Sequence, residues 1–168
     1  MKLQDFILQS RPPISREMHF YLAPQHNIKT PLLDLVRNAK KTIHIEIYGF
    51  ALPELSAELI AAKKRGIDVK ILFDSVQAGG VKERALVNDI KAAGITCAIG
   101  RSPGHQIRHS KFMIVDSVYC EVGSLNYSNS AFLQNNTVQI LKDEAIAELL
   151  IRDFEENFKV LTEVTNGN

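Results

Sequence analysis

The sequence predicts an α/β domain with a mixed, largely parallel central sheet flanked by helices on both faces. Three observations carry this. Short runs such as Ile43, Ile45 and Ile47 alternate with polar residues, the period of a half-buried strand. Between such runs, apolar residues recur at spacings of three and four, the period of an amphipathic helix. The two patterns take turns along the chain, which is the order of βαβ units with parallel strands.

The elements follow in order. Residues 1–17 are expected to be irregular, because Arg11-Pro12-Pro13 interrupts any regular element. One domain is expected over 18–160, with a tail over 161–168. Phe20 and Leu22 mark a first strand. Thr30-Pro31 offers an N-cap followed by proline at the first helical position, and Leu32, Leu33, Leu35, Val36 and Ala39 form that helix's apolar face. A strand is expected over 42–50. Pro53 opens a second helix that turns Leu55, Leu59 and Ile60 inward and ends at Lys63-Lys64-Arg65. Those cations suit a helix C-terminus, and Gly66 suits the left-handed cap. Alternation over 67–73 ends at Asp74, expected as a cap. A loop at Gly79-Gly80 leads to a helix carrying Leu86, Val87 and Ile90, and a short strand covers 95–99. After a Pro103-Gly104 loop, strands over 107–115 and 118–122 form a hairpin about Asp116-Ser117. A strand over 137–141 and a helix opening near Asp143, striped by Ile146, Leu149, Leu150, Phe154 and Phe158, complete the chain.

Composition narrows the class. With 168 residues, 45% hydrophobic and 23% charged, the chain can bury a core. A net charge of +1 neither demands nor excludes a nucleic-acid partner, since a local basic stripe decides that. Cys97 and Cys120 lack paired neighbours, so free thiols of a reducing compartment are expected and a zinc site is not. Phe6-Ile7-Leu8 is too short for a leader or a membrane span. A cytoplasmic protein with no membrane partner is expected.

The chemistry concentrates in His109-Ser110-Lys111-Phe112-Met113-Ile114-Val115-Asp116, followed by Gly123-Ser124-Leu125-Asn126. On a strand, residues two apart share a face, so an imidazole and an ammonium would stand side by side. Ser124 and Asn126 repeat that spacing one strand later. A lone histidine or lysine is usually a surface or satisfied core residue; the joint pattern is not. The four side chains suit a tetrahedral phosphate: Lys111 supplies charge, Asn126 and Ser124 neutral donors, and His109 a nucleophile or acid. Asp116 falls at odd spacing from His109 and is expected to be a structural hydrogen-bond acceptor.

His109, Lys111, Asp116, Gly123, Ser124 and Asn126 spell H-x-K-x-x-x-x-D followed by G-S-x-N, which resembles the signature of the phospholipase D superfamily. Ala39-Lys40-Lys41-Thr42-Ile43, Tyr48-Gly49-Phe50 and the stretch 61–70 are similar to its bacterial single-motif endonucleases, and the resemblance covers about 20–160. It implies a mechanism without metal or cofactor, through a phosphohistidine at His109. A second imidazole protonates the leaving oxygen, while Lys111 and Asn126 stabilise the phosphoryl oxygens. Since the motif occurs once, a homodimer sharing one site is expected. Family members usually carry an N-x-E segment whose acid orients the imidazole; here Asn135-Asn136-Thr137 puts Thr137 in that place. Glu46 and Glu121 are candidate substitutes. Arg101 and Arg108 flank the loop into His109 and are expected to contact backbone phosphates. The leading expectation is a nuclease of low specificity on DNA or RNA. The alternatives are a lipid phosphodiesterase and a weak or inactive nucleic-acid-binding protein of the same fold.

Overall fold

The computed structural model describes residues 17–166; of the irregular segment expected over 1–17, residues 1–16 lie outside that range and Glu17 opens the first strand. The elements are β1 (Glu17–Ala23), α1 (Lys29–Asn38), β2 (Thr42–Ile47), β3 (Phe50–Ala51), α2 (Pro53–Lys64), β4 (Asp68–Asp74), α3 (Ser75–Ala78), α4 (Val81–Ala92), β5 (Thr96–Gly100), β6 (Lys111–Val115), β7 (Tyr119–Gly123), β8 (Tyr127–Ser128), β9 (Asn136–Lys142) and α5 (Glu144–Asn166).

Seven strands form one sheet in the order β1-β9-β7-β6-β2-β4-β5, and β3 pairs with β8 beside it. The mixed α/β class holds, with a correction to the strand directions. Only β2/β4 and β4/β5 are parallel within the large sheet, while β1/β9, β9/β7, β7/β6 and β6/β2 are antiparallel. The reason is local. Helical crossovers link β2, β4 and β5, whereas β6 and β7 are joined by a three-residue turn, which permits only antiparallel pairing. Asp116 and Ser117 in that turn both take positive φ, 55° and 58°, the backbone a type I′ hairpin needs.

Helices cover both faces. Leu32 and Val36 of α1, Leu55 and Leu59 of α2 and Ile90 of α4 pack on Ile45, Ile71 and Met113. On the other face, Ala147, Phe154 and Phe158 of α5 meet Leu72, Phe112, Ile114 and Leu141. That stripe continues to Leu161, so α5 runs past the expected domain end at 160. At α1, the expected Thr30 cap is replaced. Asn27 accepts from the Thr30 main-chain N–H at 3.2 Å, and the helix begins at Lys29, two residues before Pro31. Asp74 and Asp143 do cap helices, accepting from the N–H groups of Val76 and Gln77 and of Ala145 and Ile146 respectively.

Candidate active site

The site forms where β6 begins, and Arg108 decides where that is. Its main-chain N–H donates to Asp74 Oδ2 at 2.8 Å, and its guanidinium donates to Glu46 Oε1 at 3.0 Å and to the Arg101 carbonyl at 3.2 Å. These bonds draw residues 106–110 off the ladder, so the strand expected from 107 starts at Lys111. The expectation that Arg108 touches phosphate is corrected here. Its side chain is buried against Glu46, on the α5 face, and a guanidinium spent in this way cannot reach solvent. Arg101 stays exposed and donates to the His105 carbonyl at 2.8 Å.

His109 is therefore an exposed loop residue. Its ring packs against Tyr48 with centroids 4.8 Å apart. Lys111 is only 6% exposed. Its Nζ donates to the His109 carbonyl at 2.7 Å and lies 5.2 Å from the Tyr48 ring centroid. Imidazole and ammonium are thus both packed on the Tyr48 ring, through a loop residue and a strand residue instead of strand alternation. Burial lowers the Lys111 pKa, because a charged group is disfavoured away from water.

Asn126 follows β7. Its Oδ1 accepts from the Gly49 N–H at 3.2 Å, which leaves the amide's own N–H groups for a ligand. Ser124 is not such a donor. Its hydroxyl donates to Asn136 Oδ1 at 2.8 Å and accepts from the Thr137 N–H at 3.1 Å, tying β7 to β9. Gly123 permits that closeness: a Cβ there would lie 2.1 Å from the Thr137 carbonyl oxygen.

Thr137 also needs correction. Gly123 pairs with Val138 and Cys120 with Leu141, and side chains alternate along a strand. Thr137 therefore turns with Leu141 toward the α5 face. Asn136 turns the other way, with Val138, and is the β9 residue that reaches Ser124. The sequence reading missed Asn136; the one available signal was the strand parity of β9. Neither substitute carboxylate serves His109. Glu46 is paired with Arg108, and burial raises its pKa despite that partner. Glu121 is fully buried, accepts the Tyr127 hydroxyl, and has its pKa pushed up to about 8 by burial. Among the described residues no side chain forms an ion pair or hydrogen bond with the His109 ring.

Asp116 lies away from the cluster, where its carboxylate accepts from the N–H groups of Lys40, Lys41 and Thr42 at 2.7–3.1 Å. It fastens the β6–β7 turn to the start of β2. A cavity of about 570 Å³ between β1 and α1, lined in part by Tyr21, Asp34 and Lys142, contains neither His109 nor Lys111. Among the described residues no three His, Cys, Asp or Glu side chains gather as a metal site, and no helix is long and apolar enough to cross a membrane. Cys97 and Cys120 are free, with burial pushing their thiols up to about 11 and about 12, so both stay protonated.

Residues 32–158 match the family model described as "Cardiolipin synthase, PLD-like domain". Phospholipase D of Rickettsia bellii is 28% identical over 125 residues, 73% of this chain and 60% of that protein. Human mitochondrial cardiolipin hydrolase is 28% identical over 126 residues, 74% of this chain and 48% of that protein. The chain thus spans about half to 60% of the length of these relatives. Among solved structures, Nuc from Salmonella typhimurium, a phospholipase D family member, superposes with a TM-score of 0.80 at 28% identity, covering 86% of this chain and 95% of that one. A model match over most of the chain, that superposition and the His109–Lys111–Asn126 cluster agree: the chain belongs to the phospholipase D superfamily, in its PLD-like domain family.

Proposed function

We propose that the protein is a phosphodiesterase that cleaves nucleic acid through a phosphohistidine at His109, in a site shared by two copies of the chain. The observation that carries this reading is an exposed imidazole and a buried ammonium packed on one Tyr48 ring, the ammonium having no carboxylate partner among the described residues. An imidazole nitrogen of His109 attacks phosphorus as the bond to the leaving oxygen breaks. The charge growing on the phosphoryl oxygens is met by Lys111 Nζ and the Asn126 amide. The leaving oxygen takes its proton from a second imidazole, which then accepts a proton from water as that water attacks the phosphohistidine.

Among the described residues no other imidazole contacts His109, and His44 is buried against Phe154. The second imidazole is the His109 of another copy, which an isologous two-fold supplies. Ile107, 47% exposed, and Val76, 48% exposed, lie in the segments that carry His109 and Gln77. A partner copy would cover such apolar groups. The nuclease reading rests on the similarity to Nuc along almost its whole length and on the endonuclease resemblance of the motifs. A lipid phosphodiesterase is the second reading, favoured by the relatives named phospholipase D and cardiolipin hydrolase.

The test is cleavage in EDTA of single- and double-stranded DNA, RNA and cardiolipin vesicles, with light scattering at the assay concentration. Nucleic-acid cleavage that survives the chelator, is lost in His109→Ala and tracks the dimer is expected. Cleavage confined to lipid would replace the reading with the second. Tight salt-sensitive binding of nucleic acid without turnover would leave a binding protein. A fully active monomer would remove the shared site.

A further inference from the structure

Among the described residues no carboxylate bonds to the site's imidazole, yet the residues around it are well anchored. Three consecutive residues at the end of β2 are each held by a different element. The Tyr48 hydroxyl accepts from Gln77 Nε2 of α3 at 2.9 Å. The Gly49 N–H donates to Asn126 Oδ1 at 3.2 Å, and its carbonyl accepts from the Tyr127 N–H at 3.0 Å. The Phe50 N–H donates to Glu83 Oε1 at 3.2 Å, and its ring stacks edge-on against Phe73. A Cβ at Gly49 would lie 3.2 Å from Asn126 Cγ, so a larger residue there would have to push the Asn126 amide back. A turn fixed at three points projects one partly buried ring, and that ring touches both His109 and Lys111.

Asp74 links the two sides of this contact. Its Oδ1 caps the short helix that carries Gln77, and its Oδ2 receives the Arg108 N–H one residue before His109. The Tyr48 ring and the His109 backbone are thereby referred to one carboxylate.

We propose that Tyr48 is the positioning residue of this site, doing for His109 and Lys111 what an acidic partner would otherwise do for the imidazole. The proposal rests on the phosphodiesterase reading above. The tilted ring, 55° from the imidazole plane, limits how the imidazole turns. Its electron-rich face attracts a cation, whether the Lys111 ammonium or an imidazolium formed during turnover. Because the ring carries no formal charge, it leaves Lys111 free to act on the substrate's anion. A carboxylate in the same place would partly neutralise it. Gln77 holds the ring by its hydroxyl, so the ring's face, not its polar end, does the positioning.

Two measurements test this, one of them independent of turnover. In the wild-type protein, nuclear Overhauser contacts between the Tyr48 and His109 ring protons are expected. The His109 ring resonances should shift in Tyr48→Leu and stay near their wild-type positions in Tyr48→Phe. In the cleavage assay, Tyr48→Leu should lower kcat by roughly tenfold or more with KM little changed, and Tyr48→Phe should keep most of the activity. If Tyr48→Leu does not fold, Tyr48→Met, which keeps side-chain bulk without a ring, replaces it, with the same shift of the His109 resonances and the same loss of kcat expected. Absent ring contacts in an active wild-type protein, or kcat unchanged in a folded Tyr48→Leu, would overturn the proposal and leave the phosphodiesterase reading standing. A wild-type protein that cleaves no phosphodiester would overturn that reading first, and the role of Tyr48 with it.

Discussion

Glu121 makes the stability of this protein depend on pH in a direction opposite to that of most acidic residues. Its carboxyl lies on β7 between Met113 and Ile140 in the sheet register, fully buried. One oxygen accepts the Tyr127 hydroxyl, and the other, Oε1, has no hydrogen-bond partner among the described residues. Burial raises the pKa from 4.5 to about 8, against the smaller opposing effect of the Tyr127 bond. Between these two values the folded state holds a proton that the unfolded chain has released. Stability therefore falls as pH rises, by about 1.4 kcal/mol per pH unit for this one group. The favourable contribution is complete below pH 4.5 and is lost as pH passes about 8, a change of roughly 5 kcal/mol over the window.

Glu121→Gln keeps the shape and an oxygen for Tyr127 while removing the titration. Denaturant unfolding of both proteins at pH 5, 6.5 and 8 isolates the effect, because all other groups titrate alike in the two. The stability of wild type relative to the variant should drop by roughly 4 kcal/mol from pH 5 to pH 8. Tyr127 does not add to this, since its own pKa is raised well above 10 by burial and by Glu121. A stability difference that stays constant from pH 5 to pH 8 would refute the reasoning and place an ionised carboxylate in the core.

Three further outcomes are expected. Arg108→Met strands the Glu46 carboxylate and should cost about 3–5 kcal/mol in denaturant unfolding, most of it recovered in the Arg108→Met, Glu46→Leu double variant; additive losses would show that the two groups are not coupled. Gly123→Ala must force β7 from β9 at the Thr137 carbonyl and should cost about 1–3 kcal/mol, with a lower thermal midpoint as the readout. Asp116→Ala leaves three N–H groups at the start of β2 without their acceptor and should cost about 2 kcal/mol while sparing kcat, because the carboxylate is remote from His109.

Much of the fold was legible because its signals are local. The period-two run at Ile43, Ile45 and Ile47, the stripe of the last helix and the Asp116-Ser117 turn each state their structure within a few residues. Strand direction was less legible, since pairing is a long-range property: β6 lies against β2, 64 residues or more earlier in the chain. The pairing of His109 with Lys111 was readable as a motif, but its cause was not, because the Tyr48 ring comes from another strand end. Arg108 misled for the same reason. A cation in a loop reads as solvated until the partners that bury it, Glu46 and Asp74, are brought in from distant strands. Ser124 looked like a free donor because its acceptor, Asn136, stands across a strand pair.

The placement of charge around β6 argues for an anionic ligand independently of any motif. Three acids near this end of the sheet are satisfied from within. Glu46 has Arg108, Asp74 has three main-chain N–H groups, and Glu121 has a raised pKa that keeps its proton through neutral pH. The two buried cations among the described residues are treated differently. Arg108 has a carboxylate, whereas Lys111 has a carbonyl and an aromatic face, which stabilise an ammonium without cancelling its charge. A buried ammonium left uncancelled costs stability, and the depressed Lys111 pKa is the expression of that cost. A phosphate brought to the Asn126 amide and the His109 ring would supply the missing opposite charge, and would supply most of it when the phosphoryl oxygens carry the most charge, at the transition state. Lys111→Met should then raise stability or leave it unchanged while abolishing turnover, and a large loss of stability in that variant would show that the ammonium serves the fold instead of the ligand.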